Sequence, residues 1–500
     1  MRERYITKIA VLFPTLLAVL VAVAMSRLYV APFVVPDTNS YLNAAAGSSQ
    51  LGFRTPFYGT LLLWSMALGH PMLMVWLQVL SWIACITMST LIVLSFTRSV
   101  WRSVIVGILM VASEVVTMHL LPAQWFLLTD ALYADWLTLG LLLILLSFRH
   151  RISWVLLTGT LFIGIANLVR PLMVGLLVAT LLVVVTAMIE RGYFRRWIIV
   201  GLLVLWLPTV TQSWVRGQTM ATQEMTPLIG LHQVLYTMAL LQPDDRVFTD
   251  QNVNDAFHAA VRQRKVLPGF EGANPFFFPK AYSVYPILQF YASRSKEKDL
   301  GKLRYAIASQ SVGVTRQLIL RHPLRYLRLM TGAWMTFIVP TGTGRDVFFW
   351  HPQPFDFYNY LTYRSNTGAT RERIFSSREL PGLERFDERM ASYLDSTVIG
   401  IRLPKTVGRK TIILLLMMTV LAIAESIRRM RSEERRLRLL GVVILTCLGS
   451  TYLHALAQAL VTLQGETRFA LPGILTMTLA FLLTLVSLTL PHQRRKQRVI

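Results

Sequence analysis

Cysteine is nearly absent. Cys85 and Cys447 are the two in 500 residues, each inside an apolar run, so no disulfide framework ties the loops together and redox chemistry is not signalled. Acidic residues are also scarce, 26 against 50 Lys and Arg. The resulting formal charge of +24 is spread in short clusters between apolar runs rather than in one stripe, which argues against nucleic acid as a partner. Zinc-ligand spacings, a Walker loop, GxGxxG and GxSxG are missing, as are internal repeats and low-complexity tracts, so the common soluble chemistries have no foothold.

What the chain has in excess is apolar surface: 54% hydrophobic residues, 15% charged and a mean hydropathy of +0.50. That places it in the membrane class rather than among soluble domains. A hydrocarbon core about 30 Å thick takes about 20 apolar residues as helix. Ten candidate spans fit, near 9–30, 71–97, 103–121, 126–147, 152–169, 171–189, 197–214, 409–427, 439–462 and 469–489. The N-terminus, with Arg2, Arg4 and Lys8 before an apolar run, also fits a signal peptide, but the length of the run and the spans after it favour an uncleaved first helix. Residues 57–70 read as a short helix broken at His70-Pro71.

Lys and Arg of the short connections set the orientation. The N-terminus, Arg98/Arg102, Arg149/Arg151, Arg191/Arg195/Arg196, the run Arg428 to Arg438 and the tail Arg494 to Arg498 fall on one side, expected to be cytoplasmic. The expected fold is an all-α polytopic membrane protein in three parts: a transmembrane module over 1–214, an outer loop region of short helices over 215–405, and a second transmembrane module over 406–500. Within the loop region 299–322 reads as one amphipathic helix. The apolar stretch 323–340 reads as interfacial or re-entrant, because counting it as a span would put the Arg428 to Arg438 run outside. The aromatics Trp350, Phe355, Phe357, Tyr358 and Tyr360 suit packing on the membrane surface or stacking on sugar rings.

The few charges on the opposite side need their own account. The first outer loop carries Asp37, with Asn39 and Tyr41 after it, then Arg54-Thr55-Pro56. A carboxylate followed by a fixed cation offers a general base and a phosphate partner; the bland alternative is a solvated loop with Asp37 capping a helix over 38–46. The second outer turn holds Thr129-Asp130, with Tyr133 and Asp135 entering the fourth span. Asp130 equally suits a helix N-terminus stabilised by the dipole. Glu114 and His119 lie in the outer half of the third span, where they either pair with a neighbouring helix or extend a polar cavity. Asn167 and Arg170-Pro171 end the fifth span, and Glu466 with Arg468-Phe469 precedes the tenth. Each arginine alone reads as a snorkelling residue; Arg54, Arg170 and Arg468 together suit an anionic lipid headgroup. His454 and Gln458, one turn apart on the ninth span, favour interhelical hydrogen bonds over metal binding. Glu425 with Arg428 and Arg429 is an i,i+3 and i,i+4 ion-pair pattern with no chemistry assigned.

In order, Pro36-Asp37, Arg54-Thr55-Pro56, Thr129-Asp130, Arg170-Pro171 and Arg468-Phe469 with Leu471-Pro472 resemble the GT-C superfamily of membrane glycosyltransferases. That group uses polyprenyl-phosphate sugars and includes the protein O-mannosyltransferases and the lipid A aminoarabinose transferase. The resemblance implies Asp37 as catalytic base, Asp130 as a second acidic site residue, and Arg54, Arg170 and Arg468 on the lipid phosphate. It implies an inverting enzyme of the bacterial cytoplasmic membrane with its site facing the periplasm, a lipid-linked sugar as donor, and a glycan, lipid or protein as acceptor. Any cofactor, a divalent metal included, is left open, although no metal ligands are assigned. Two departures stand out. Thr38 follows Asp37 where the O-mannosyltransferases carry an acidic pair, and where the aminoarabinose transferase has Lys before its Pro pair and a soluble C-terminal domain, this sequence has Arg54 and a basic tail. The alternatives are a polymerase or ligase of lipid-linked polysaccharide; a lipid or sugar transporter, which should place its polar groups near the midplane on broken helices; and a structural membrane scaffold, in which Asp37 and Arg468 could be neutralised without loss of phenotype.

Overall fold

The computed structural model describes residues 2–28, 32, 36–45, 56–70, 72–117, 124–125, 127, 129–189, 195–219, 230–231, 233–235, 237–262, 284–295, 297, 299–338, 385, 388–389, 409–461 and 471–490. Among these the regular structure is helical, without strands. Helices occupy all ten apolar segments: α1 (Arg2–Leu28), α4 (Met72–Thr97), α5 (Val100–Thr117), α6 (Thr129–His150), α7 (Ser153–Val169), α8 (Met173–Ile189), α9 (Arg195–Thr219), α15 (Arg409–Met430), α16 (Arg435–Val461) and α17 (Leu471–Leu488). Two short helices, α2 (Pro36–Ala45) and α3 (Pro56–Ala67), lie between α1 and α4. The long central segment contributes α10 (Gln251–Arg262), α11 (Val284–Arg294), α12 (Leu300–Ser311), α13 (Val314–Arg321) and α14 (Pro323–Ile338).

Four stretches, Ile9–Arg27, Met72–Thr97, Thr129–His150 and Arg435–Leu460, are long and apolar enough to cross a membrane. Shorter apolar helices accompany them at Ser153–Val169, Met173–Met188, Arg196–Gln212 and Gly473–Leu488. Large apolar side chains face outward along α1, α8, α9 and α15: Leu20, Met188, Leu203, Leu207, Met417 and Val420 are each more than 60% exposed. In water so much uncovered apolar surface would drive aggregation; against acyl chains it is the expected exterior. The chain is an integral membrane protein.

One core joins the N-terminal helices to α15, α16 and α17, with α6 packed against α4, α7 and α17 and α16 against α8 and α17. A second core, built from residues between Leu231 and Leu329, belongs to the central segment. There Asp245 ties a turn together, accepting from the Gln242 amide at 2.7 Å and meeting His322 Nε2 at 2.8 Å. Nearby, the Tyr291 phenol donates to Asp250 at 2.9 Å; its burial, reinforced by that carboxylate, holds its pKa above the usual range.

The short helix over Pro56–Ala67 ends where the sequence breaks, the Ser65 hydroxyl donating to the His70 carbonyl at 2.7 Å before α4 begins. The single helix expected over 299–322 is instead two. Gly313 adopts φ +79°, a left-handed conformation that side-chain-bearing residues rarely take, and it separates α12 from α13.

The bundle has two chemically different ends. At the basic end arginines donate to carbonyls at helix termini: Arg149 Nε to Ser95 O at 3.2 Å, Arg435 Nη2 to Phe148 O at 2.8 Å, and Arg102 Nη2 to Thr489 O at 3.3 Å. These oxygens lack intrahelical partners, and a cation completes them while opposing the helix dipole. Arg429, 1% exposed, donates to Glu425 at 2.8 Å, to Ser487 Oγ at 2.9 Å and to Leu490 O at 3.2 Å. Arg428 closes two bonds of 2.6 Å on the same carboxylate. The i,i+3 and i,i+4 pattern read from the sequence is therefore a helix-joining clasp.

Candidate functional site

Polar groups at the opposite end are buried between helices rather than spent on their termini. Helix α2 begins at Pro36, a residue whose fixed φ and missing N–H suit a first helical turn, so Asp37 lies within the first turn of α2. Two hydrogen bonds dock α2 on the start of α6: Thr38 Oγ1 donates to Leu127 O at 3.0 Å, and Tyr41 Oη meets Thr129 Oγ1 at 2.9 Å. Tyr41 also packs edge-on against Tyr58 of α3, ring centroids 5.1 Å apart. Tyr58 in turn donates to Gln78 of α4 at 3.0 Å, and Gln78 donates to the Gln124 carbonyl at 2.5 Å.

One turn of α6 then presents its chemistry in several directions. Asp130, 3% exposed at its side chain, forms an ion pair with Arg170, the residue that ends α7. Tyr133 lies one turn on, so its hydroxyl falls on α16 and meets His454 Nε2 at 2.8 Å. His454 Nδ1 lies 2.7 Å from the Ser450 carbonyl, and the simplest assignment has Nδ1 donating to that carbonyl and Nε2 accepting from Tyr133. Space for the Tyr133 hydroxyl depends on Gly175 of α8, where a Cβ would come within 2.7 Å of it. Asp135, fully buried, points elsewhere: the Gln124 amide lies beside its carboxylate without closing a well-formed hydrogen bond, and Glu114 of α5, also fully buried, is within electrostatic reach.

Asp130, Arg170, Tyr41 and His454 thus gather at one end of the bundle, and Glu114 comes in beside Asp135. Gln458 is buried on α16 one turn from His454. Asn167 turns instead toward α9, donating to Thr209 Oγ1 at 2.8 Å. Arg54, His119, Glu466 and Arg468, with the aromatics from Trp350 to Tyr360, lie outside the described residues, as do the side chains of Asp37 and Asn39. Among the described residues no group of three or more His, Cys, Asp or Glu side chains is arranged to hold a metal ion.

Sequence reasoning had no way to reach Gln78 and Gln124, or the pairing of Tyr133 with His454. Their one signal was polarity inside apolar runs, where insertion costs select for a purpose. The long segment comes back to this same end. Arg389 donates to the Gly69 carbonyl at 2.9 Å and contacts His70, Tyr326 donates to Leu460 O at 2.9 Å, and Trp334 Nε1 donates to Tyr452 O at 3.2 Å.

No protein-family model matches the chain, and neither a curated protein nor a solved structure does.

Proposed function

We propose that the chain is a glycosyltransferase of the bacterial cytoplasmic membrane. It spans the bilayer about ten times and moves a sugar from a polyprenyl-phosphate donor to an acceptor hydroxyl on the periplasmic side. The observation that carries the reading is the meeting of three sequence elements at one end of one bundle: the α2 helix that begins Pro36-Asp37, Thr129-Asp130, and Arg170-Pro171. They are three of the five elements behind the GT-C resemblance, and they come from helices far apart in sequence. The basic opposite end suits the cytoplasmic side under the positive-inside rule.

In this mechanism Asp37 accepts the proton of the acceptor hydroxyl as its oxygen attacks the anomeric carbon in line. The new C–O bond forms as the bond from that carbon to the phosphate oxygen breaks, and configuration inverts. Polyprenyl phosphate leaves with the electron pair, held by Arg54, Arg170 and Arg468. General-base assistance contributes typically ~10²–10⁴ in rate, and fixed cations on the leaving phosphate in a water-poor site add further stabilisation. Asp130 serves as the second acidic residue by fixing the Arg170 guanidinium, whose planar fork then faces phosphate in one orientation.

The test is a profile of envelope glycans in a deletion strain complemented with wild type, Asp37→Asn or Arg468→Ala at matched membrane abundance. Loss of one glycan that wild type restores and Asp37→Asn does not is the expected result and identifies the product. Full rescue by both variants would remove the proposed site and return the chain to the transporter or scaffold classes.

A further inference from the structure

Helix α14 runs alongside α16 in the opposite sense. Eight residues separate Tyr326 from Trp334, and eight separate their respective partners Leu460 and Tyr452. At about 1.5 Å rise per residue, α14 therefore descends roughly 12 Å along a helix long and apolar enough to span. It starts at the end of α16 that lies toward the polar site. Its inner face seats Leu329 and Ala333 against the bundle and the central core, Ala333 meeting Ala455 and Ala459. The chain is back at the polar end by Arg389, which touches the α3–α4 turn, and α15 begins there too, running from Arg409 to the Glu425 clasp at the basic end. Helix α14 thus dips in from the polar end.

Its outward face is uncovered and has two kinds of side chain. Leu324 is 81% and Leu327 51% exposed, and Leu320 at the end of α13 is 69% exposed. Projected at about 100° per residue, Leu324 and Leu327 lie side by side and Arg328 and Arg325, both exposed, follow next round the helix. Arg321, just before its first turn, is instead tied to Asp245 at 3.8 Å. Between Leu300 and Ile338 the sequence holds six Lys or Arg, Lys302, Arg304, Arg316, Arg321, Arg325 and Arg328, and no Asp or Glu. A leucine stripe beside Arg325 and Arg328, which have no carboxylate in ion-pair range among the described residues, matches the boundary between acyl chains and anionic headgroups.

We propose that the outward face of α14 docks on the outer-leaflet surface, Leu324 and Leu327 entering the acyl region while Arg325 and Arg328 bind phosphates of anionic phospholipids. The contact does not depend on which reaction the bundle performs. It holds the central segment at a fixed height over the polar site.

The experiment places a nitroxide spin label at cysteines introduced as Leu320→Cys, Leu324→Cys, Leu327→Cys and, as a solvent-facing control, Asn252→Cys of α10. The full chain is reconstituted in phosphatidylcholine vesicles with and without phosphatidylglycerol. The native Cys85 and Cys447 are buried, and the substituted positions are exposed, so the fold is kept. Depth is read from collisions with dissolved oxygen against a water-soluble nickel chelate. The expected order of depth is Leu327 below Leu324 below Leu320, with oxygen collisions at Leu327 exceeding nickel collisions several-fold and the reverse at Asn252. Phosphatidylglycerol deepens the labels, and Arg325→Gln with Arg328→Gln abolishes that deepening. Labels at Leu324 and Leu327 that behave like Asn252, or that are shielded from both reagents as in a protein contact, would overturn the proposal. Depth indifferent to phosphatidylglycerol would overturn its anionic half.

Discussion

The two ends of the bundle use charge in opposite ways. At the basic end a carboxylate, Glu425, is shared by two arginines and a serine, while Arg149 and Arg435 cap helix carbonyls. Losing one member leaves the others in place. At the polar end Asp130 has its ion pair with Arg170, Asp135 is buried beside Gln124 and Glu114, and Tyr133 reaches a single histidine. Redundancy marks a structural joint. Buried acids, which cost free energy to place in a membrane, suit instead the site proposed at the polar end.

Substitutions at matched positions should expose that contrast. The largest effect is expected from Arg170→Ala, which strands a buried carboxylate and should cost ~3–5 kcal/mol; Asp130→Asn added to Arg170→Gln should recover most of it in detergent unfolding curves. A double variant as unstable as the single one would show that the pair is not what holds α6 to α7. Gly175→Ala comes next, at ~1–3 kcal/mol, since its methyl must displace the Tyr133 hydroxyl from a packed site. The same substitution in a Tyr133→Phe background should cost measurably less. Tyr133→Phe by itself removes one buried hydrogen bond to His454 and should cost about 1 kcal/mol. At the other end Arg428→Gln should cost under ~1 kcal/mol, because Arg428 is 38% exposed, Arg429 and Ser487 keep their bonds to Glu425 Oε1, and the new amide can donate to the Oε2 that Arg428 held. Arg428→Gln falling as far as Arg170→Ala would erase the distinction between the ends.

Much of this arrangement could be read from the amino acids. Apolar runs of span length locate the ten main helices closely; the segment expected at 171–189 is Met173–Ile189, and that at 409–427 is Arg409–Met430. Hydropathy works because a helix in lipid must be apolar all round wherever it meets acyl chains. It is blind to single-residue backbone conformation, so 299–322 read as one helix although Gly313 divides it. It also says which residues are polar but not which neighbour they meet. Tyr133 and His454 are 321 positions apart, and nothing in either local sequence names the other. Asp130 and Arg170 were legible as site candidates because each stands beside a helix terminus on the charge-poor side, yet their pairing emerges only when α6 and α7 pack antiparallel.

The most direct test compares one carboxylate from each end. In the deletion strain, Asp37→Asn and Glu425→Gln are expressed at equal membrane abundance and the envelope glycan that wild type restores is quantified. A working polar end and a structural basic end predict product lost by at least ~10² with Asp37→Asn, the lower range for a removed general base, and close to wild-type product with Glu425→Gln. Product retained by Asp37→Asn and lost with Glu425→Gln would contradict the assignment of the chemistry to the polar end.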